Sequence, residues 1–433
     1  MNGENSTIML ESNHIKNSTE DPSKERQVYQ ELNTKGHTKE QLLTKDLKVI
    51  AQEFAIVERT KRDFAQIVIN NQDKLDISEF INYPTFYIKE SFIKKKVVSS
   101  NISGLNIVSV DGSSVIKKYM NVDFSFLKAI AVKYHFYRNH LANIEYYPDL
   151  CGYNNYRVQG NYLHEDDGLI DAKTSMEMRR MEINLLNEMI AKKSEIDLIV
   201  IDGTILVMPI SLVFSKDPEI SLKYDALLKE FHKLYMNCAK QGILLIGSIK
   251  DSRTSALTNL LRETIQLLKP SYKNLEDFTR IKYHNVMKYF SDIDLFNKLL
   301  HQSERSCIFN CKREIDKLRE DGIKKEISYY FPLDFYAFYL KSARYDTPSR
   351  IEFFIDENSS YLEASKKADL ISSILLPIAS LNDNYGLPIP QIEAHKRAVF
   401  KPSEINLFFN NLNRQLSKNG VKLMEKRRNR RPF

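Results

Sequence analysis

Leu198-Ile199-Val200-Ile201-Asp202-Gly203 is an apolar, β-branched run that ends in Asp-Gly, and Val108-Ser109-Val110-Asp111-Gly112 ends the same way earlier in the chain. Short runs of this kind are expected to be buried strands. An acid at the end of such a run projects where open α/β sheets gather their ligands. Between the two runs lies Glu182, in a stretch whose Met178, Leu185, Leu186 and Met189 recur at helical spacing. Glu182 falls within that apolar stripe. Burying a carboxylate unpaired is costly, so it requires a cation, a metal ion or a hydrogen-bond network. Three adjacent acids would repel one another. Divalent cations with oxygen ligands offset that repulsion, and a pair of them about 3.5–4 Å apart is a standard apparatus for phosphodiester hydrolysis. Plainer readings exist for each part, since Asp-Gly is an ordinary turn signal and Glu182 has Arg179 and Arg180 as neighbours. It is the coincidence of the three acids that favours a metal site.

Outward from these runs, hydrophobic periodicity predicts a first core strand over 105–111, one or two β segments over 124–136, and a loop rich in Asn, Tyr and Gly up to 171. A helix over 176–191 leads to a strand at 197–202, a helix over 221–240 and a buried strand over 242–247. Strands alternating with helices predict a largely parallel sheet with an antiparallel hairpin at its start. Residues 265–325 read as a polar, mostly helical insertion. Two β candidates follow at 327–340 and 351–355, then helices over 361–378 and 392–416. Before the core, Leu47, Ile50, Phe54, Val57, Phe64, Ile67 and Val68 mark one long amphipathic helix or two. The expected organisation is a disordered polar segment (1–44), an N-terminal helical region (45–100), a core in two parts (101–265 and 327–416) around a helical insertion (266–326), and a basic tail (417–433).

Composition is globular: of 433 residues, 42% are hydrophobic and 27% charged. No apolar stretch approaches the roughly 20 residues that span a bilayer, and the start shows no secretory pattern. The expectation is a cytoplasmic protein without membrane contact. Four cysteines without paired CxxC spacing agree with a reducing compartment. Cys307 and Cys311 are read as reduced thiols on one helix face, with zinc the lesser alternative. Of the net charge of +7, most lies at the end, where Lys422, Lys426, Arg427, Arg428, Arg430 and Arg431 face a single Glu425. That mobile tail either meets phosphates or an acidic partner, or is a solvated terminus. There is no internal repeat and no phosphate loop of the P-loop type, so the chain is not itself expected to be a P-loop motor.

Two further segments offer chemistry. Gly247-Ser248-Ile249-Lys250-Asp251-Ser252-Arg253 follows a strand directly. Lys250 is suited to holding a phosphate, and Arg253 to pairing with one bidentately. His395 closes Gly386-Leu387-Pro388-Ile389-Pro390-Gln391-Ile392-Glu393-Ala394-His395, where a proline-punctuated lead-in meets a helix. A histidine there is suited to ligate metal or move a proton.

Val-Asp-Gly-Ser at 110–113, the Arg-bearing helix with Glu182, Ile-Asp-Gly-Thr at 201–204, Gly-Ser-Ile-Lys-Asp-Ser at 247–252 and the Gly-x-Pro-x-Pro segment ending at His395 occur in the order of the NurA nuclease family. Over roughly residues 105–400 the sequence resembles that family. The resemblance implies an α/β fold of RNase H-like type, a mixed sheet flanked by helices. It implies a metal-dependent deoxyribonuclease that digests single- and double-stranded DNA 5′ to 3′, with endonuclease activity on single strands. One or two Mn²⁺ or Mg²⁺ ions would be held by Asp111, Glu182, Asp202 and His395, and DNA by Lys250, Arg253 and Ser113. It also implies a homodimer that acts with a HerA-type hexameric ATPase in archaeal DNA end resection for recombinational repair. One position departs: the family's tyrosine directly after the glycine is Leu387 here, with Tyr385 two residues earlier. A DNA-binding regulatory subunit that does not cut, and a nuclease acting on RNA or hybrids, are the rival readings.

Overall fold

The computed structural model describes residues 39–70, 87–137, 142–149, 156–162, 165–192, 194–268, 290–311, 327–356 and 359–425. The chain divides into two compact units, Met1–Thr60 and Lys61–Phe433. What is described of the first is the leading part of helix α1 (Lys39–Asn70), which begins before the boundary expected at residue 45. Residues 1–38 of the expected polar segment lie outside the described residues. No helix among the described residues is long and apolar enough to cross a membrane.

Among the described residues the second unit is built on one sheet of eleven strands. They are β1 (Lys94–Lys96), β2 (Asn106–Lys118), β3 (Asp123–Phe136), β4 (Ala142–Tyr147), β5 (Tyr156–Asn161), β6 (Leu198–Asp202), β7 (Leu244–Ile249), β8 (Glu304–Ser306), β9 (Phe309–Asn310), β10 (Asp334–Lys341) and β11 (Ser349–Ile355). The path runs β1-β8-β10-β11-β7-β6-β2-β3-β4, with β5 beside β3 and β9 beside β10. Helices α2 (Asp167–Ala191), α3 (Pro218–Gln241), α4 (Ala256–Leu268), α5 (Asp292–Leu299), α6 (Tyr361–Ala379), α7 (Ile389–Ala398) and α8 (Pro402–Lys418) accompany it, with single helical turns at Ile210–Val213 and Ile327–Tyr330.

Alternation along the central strands splits the core in two. Val108, Val110, Ile199, Ile201 and Leu245 face a cluster that includes Ile183 and Leu186 of α2 and Phe231 and Tyr235 of α3. Ile107, Leu198, Val200 and Ile246 face Ile371 and Leu375 of α6 and Ala394 of α7. Both faces are covered, which is why these strands read as continuous apolar runs. Truncating one fully buried ring such as Phe231 would cost about 3–5 kcal/mol.

Several expectations are corrected. Only β2–β6 and β6–β7 are parallel, and the other pairings are antiparallel, so the sheet is mixed rather than largely parallel. The expected loop before 171 contains β4 and β5, whose polar and half-exposed residues carry no apolar run to announce them. The expected helical insertion contributes β8 and β9 to the sheet and α5 to the core, through the buried Leu295, Phe296 and Leu299. Residues 269–289 and 312–326 of it lie outside the described residues. β1 lies within the expected N-terminal helical region. Cys307 and Cys311 are buried and flank β9, not a helix face.

Helix limits have local causes. The Asp166 carboxylate accepts from the Gly168 amide, so α2 starts on a polar turn well before its apolar stripe. The single helix expected over 392–416 is two. Val399 turns extended at φ −56°, ψ 128°, and Pro402, with no N–H to donate, restarts the helix as α8. Beyond α8 the expected basic tail begins as an anchored segment: the Met120 amide donates to the Met424 carbonyl at 2.8 Å, and Tyr119 bridges Glu425. Residues 426–433 lie outside the described residues.

Candidate active site

β2, β6 and β7 run side by side, with Val110 opposite Ile201 and Asp202 opposite Ser248. Asp111 therefore shares the α7 face of the sheet with Ile107, and Asp202 shares it with Leu198 and Val200. α7 lies on that face and brings His395, whose Nδ1 is 2.7 Å from Asp111 Oδ2. One donor atom each from Asp111, Asp202 and His395 fall within 4.8 Å of one another. Lys250, just beyond the end of β7, places Nζ 2.9 Å from Asp202 Oδ2.

The two Asp-Gly pairs are not alike. Asp202 is the last residue of β6, and Gly203 takes φ +104°, a turn conformation that favours glycine. Asp111 is not at a strand end as expected. β2 continues through Asp111-Gly112 to Lys118, because β3 pairs with it over the whole length, from Asn106–His135 to Lys118–Asp123.

Gly112 has a different task. It faces α2, and a Cβ there would stand 2.5 Å from Glu182 Oε1 and 2.8 Å from Met178 Cγ. The bare backbone lets Glu182 lie against β2 from the side opposite Asp111. Glu182 is 1% exposed and paired with Arg179 at 2.6 Å, the plainer partner that the sequence offered. Arg180 pairs instead with Glu177. Arg179 also donates to the carbonyls of Asp202 and Thr204, so one guanidinium ties α2 to the turn after β6.

Burial pushes the Glu182 carboxyl up to about 7; Arg179 opposes the rise, and the charges of Asp111 and Asp202 add to it. Burial, then Asp202, also raises Asp111, against the hydrogen bond and charge of His395. Burial leads both shifts, and the neighbouring acids add to it. Two carboxylates and an imidazole, with a third carboxylate behind them, are hard oxygen donors with one nitrogen, a set that fits Mn²⁺ or Mg²⁺. A divalent cation there would relieve the repulsion that raises Asp111.

The remaining candidates are nearby or peripheral. Ser113 lies two residues along β2, on Asp111's face by alternation. Arg253 is exposed in the loop between β7 and α4. Leu387 is buried and Tyr385 is 45% exposed on the approach to α7. Sequence reading missed Glu352, a buried acid of β11 that accepts hydrogen bonds from Thr204 and from the Ile205 amide. The available signal was the alternation of Arg350 and Glu352 with apolar residues in a strand buried on both faces.

The profile of the NurA domain matches residues 105–400, a span that brackets Asp111 and His395. The chain belongs to the NurA family. No curated protein matches it in sequence. Among solved structures it is similar to the NurA nuclease from Sulfolobus solfataricus, with 14% identity and a TM-score of 0.51 over 88% of this chain and 98% of that one. A NurA structure with manganese matches at 13% identity and TM-score 0.39, covering 84% and 97% of the two chains. Another, bound to dAMP and manganese, matches at 14% and 0.34, covering 85% and 95%. At such identities the likeness to the Sulfolobus NurA speaks for the fold: a mixed sheet flanked by helices, as the family resemblance implies.

Proposed function

We propose that this NurA chain is a divalent-metal-dependent deoxyribonuclease whose ligands are Asp111, Asp202 and His395, with Glu182 behind them. The observation that carries the reading is the convergence of those three donors within 4.8 Å at the edge of the parallel strands. One or two bound Mn²⁺ or Mg²⁺ ions would supply an activated water and stabilise the departing oxygen. The chain's own groups do the rest. Lys250 pairs with Asp202 and is placed to hold the scissile or adjacent phosphate. His395, 56% exposed, has a ring that reaches solvent and is able to move a proton there. Ser113 and Arg253 are the further proposed DNA contacts.

The finer reading rests on family membership: 5′ to 3′ digestion of single- and double-stranded DNA, endonuclease activity on single strands, a homodimer in the cytoplasm, and partnership with a HerA-type hexameric ATPase in end resection during repair. The absence of a P-loop motif from the sequence supports a separate motor. The leading part of α1 and the segment after Lys422 are its proposed contacts, the first through the exposed Leu47, Ile50 and Phe54, since Phe64 and Val68 of the same stripe are buried in the core, and the second through charge. End-labelled single- and double-stranded DNA and RNA, each incubated with Mn²⁺, Mg²⁺ or EDTA, test the activity. Cleavage in EDTA, or of RNA alone, would overturn it. Recovery of the hexamer undiminished after deletion of 1–70 and, separately, of 420–433 would place the contact on the core instead.

A further inference from the structure

Gly247 of β7 lies directly opposite Glu352 of β11. A Cβ on Gly247 would stand 2.6 Å from the Gly203 carbonyl oxygen and 2.9 Å from the Ile205 amide nitrogen. The segment after Asp202 therefore folds back over β7 where no side chain blocks it, and reaches the next strand. There, Glu352 Oε2 accepts from Thr204 Oγ1 at 2.6 Å and from the amides of Ile205 and Leu206 at 3.0 and 3.4 Å. Its Oε1 is 2.9 Å from Arg350 Nη2. From α2, Arg179 donates to the carbonyls of Asp202 and Thr204 at 2.9 and 3.1 Å.

Glu352 is 3% exposed, and burying a carboxylate is offset only by well-formed charge-assisted bonds. Three of its four donors belong to Thr204, Ile205 and Leu206, directly after the Asp202-Gly203 turn. An apolar residue at 352 would fill the space and leave the Ile205 amide without its acceptor, and Thr204 and Leu206 with only the bonds they make to each other, from Thr204 Oγ1 to the Leu206 carbonyl and from the Leu206 amide to Thr204 Oγ1. We propose that Glu352 is a positioning residue for Asp202: it fixes the course of Gly203–Leu206 and so the direction from which the Asp202 carboxylate meets the cation. It acts through the backbone and touches neither ion nor DNA. The proposal rests on the reading of Asp202 as a ligand.

The test uses the full chain and reads Mn²⁺ binding by electron paramagnetic resonance of the free ion, beside thermal unfolding in EDTA and cleavage across a Mn²⁺ series. Glu352→Gln keeps one acceptor oxygen, loses the charge, and turns an amide NH₂ toward either Arg350 or the Thr204–Leu206 donors. It should weaken Mn²⁺ binding about tenfold, as loss of a group that orients a ligand does, with cleavage recovering as Mn²⁺ is raised. Thr204→Val removes the hydroxyl that donates to Glu352 and accepts from the Leu206 amide but keeps the carboxylate, and should shift Mn²⁺ affinity the same way by less, with a smaller change in unfolding than Glu352→Gln. A purely structural role would lower the unfolding temperature of Glu352→Gln and leave affinity as in the wild type. Wild-type Mn²⁺ affinity in Thr204→Val and in folded Glu352→Gln would overturn the proposal, and Thr204→Val decides alone if Glu352→Gln does not fold. Asp202→Asn separates the two layers. If it binds Mn²⁺ as the wild type does, the ligand reading falls and the positioning role with it. If it loses binding while the other two variants keep theirs, only the positioning role falls.

Discussion

Asp111-Gly112 and Asp202-Gly203 carry the same two residues after the same kind of run, yet the first sits inside a strand and the second ends one. In the first pair glycine gives room, so that Glu182 reaches β2. In the second it gives a backbone angle, so that the chain leaves β6 toward β11. A dipeptide therefore fixes the chemistry of a site without fixing the geometry that delivers it. Pairing with β3 along all of β2 decides one case, and the clamp of Arg179 and Glu352 decides the other.

The largest effect should come from the acids themselves. Asp111→Asn and Asp202→Asn should each lower Mn²⁺-dependent cleavage on the order of 10²–10³-fold, with far-UV circular dichroism unchanged. A variant that cuts at the wild-type rate removes its residue from the site. His395→Ala should cost about a hundredfold in turnover with little change in DNA affinity, whereas Lys250→Ala should weaken both. Equal losses of affinity in the two would erase that distinction.

The glycines should then separate by mechanism. Gly112→Ala overpacks against Glu182 and Met178 and should destabilise by about 1–3 kcal/mol. Trimming Met178 in the same chain should return part of that, a coupling that denaturant melts of the double mutant will show. Gly203→Ala should cost a similar amount, about 1–3 kcal/mol of backbone strain, and no side-chain trimming should recover it. If Met178→Ala rescues both variants or neither, the contrast between room and angle fails.

The last effect is electrostatic and spread over a range of pH. Glu182 has its folded pKa raised from the ordinary 4.5 to about 7, with burial the leading cause. The folded state therefore holds that proton more tightly than the unfolded chain. Its contribution to stability is greatest below 4.5 and declines as pH rises toward 7, by up to roughly 3 kcal/mol. In EDTA, Glu182→Gln should lack this decline. Parallel stability curves for mutant and wild type between those pH values would contradict it.

The sequence made much of this site legible. Asp202, Lys250 and His395 lie in segments with strong local signatures, and Glu182 stood out as an acid in an apolar stripe. Glu352 was not legible, because its partners are backbone amides of a turn that lies next to it only once β7 separates β6 from β11. The sheet divides the same way. β2, β3, β6 and β7 are long or wholly apolar and announced themselves. β4, β5, β8 and β9 are short and owe their existence to an edge or neighbour supplied by distant chain.

The hydrogen bond between His395 and Asp111 joins residues 284 positions apart. At a synthesis rate of 5–20 residues per second, roughly 15–60 s separate the emergence of the first acid from that of the histidine. A chain still on the ribosome thus displays every acid of the site before α7 exists to close it. Stalled chains ending before Ile389 should leave DNA uncut in Mn²⁺, and cleavage by them would show that α7 is dispensable. The order of residues along the chain thereby withholds the histidine of the site until all three of its acids have been made.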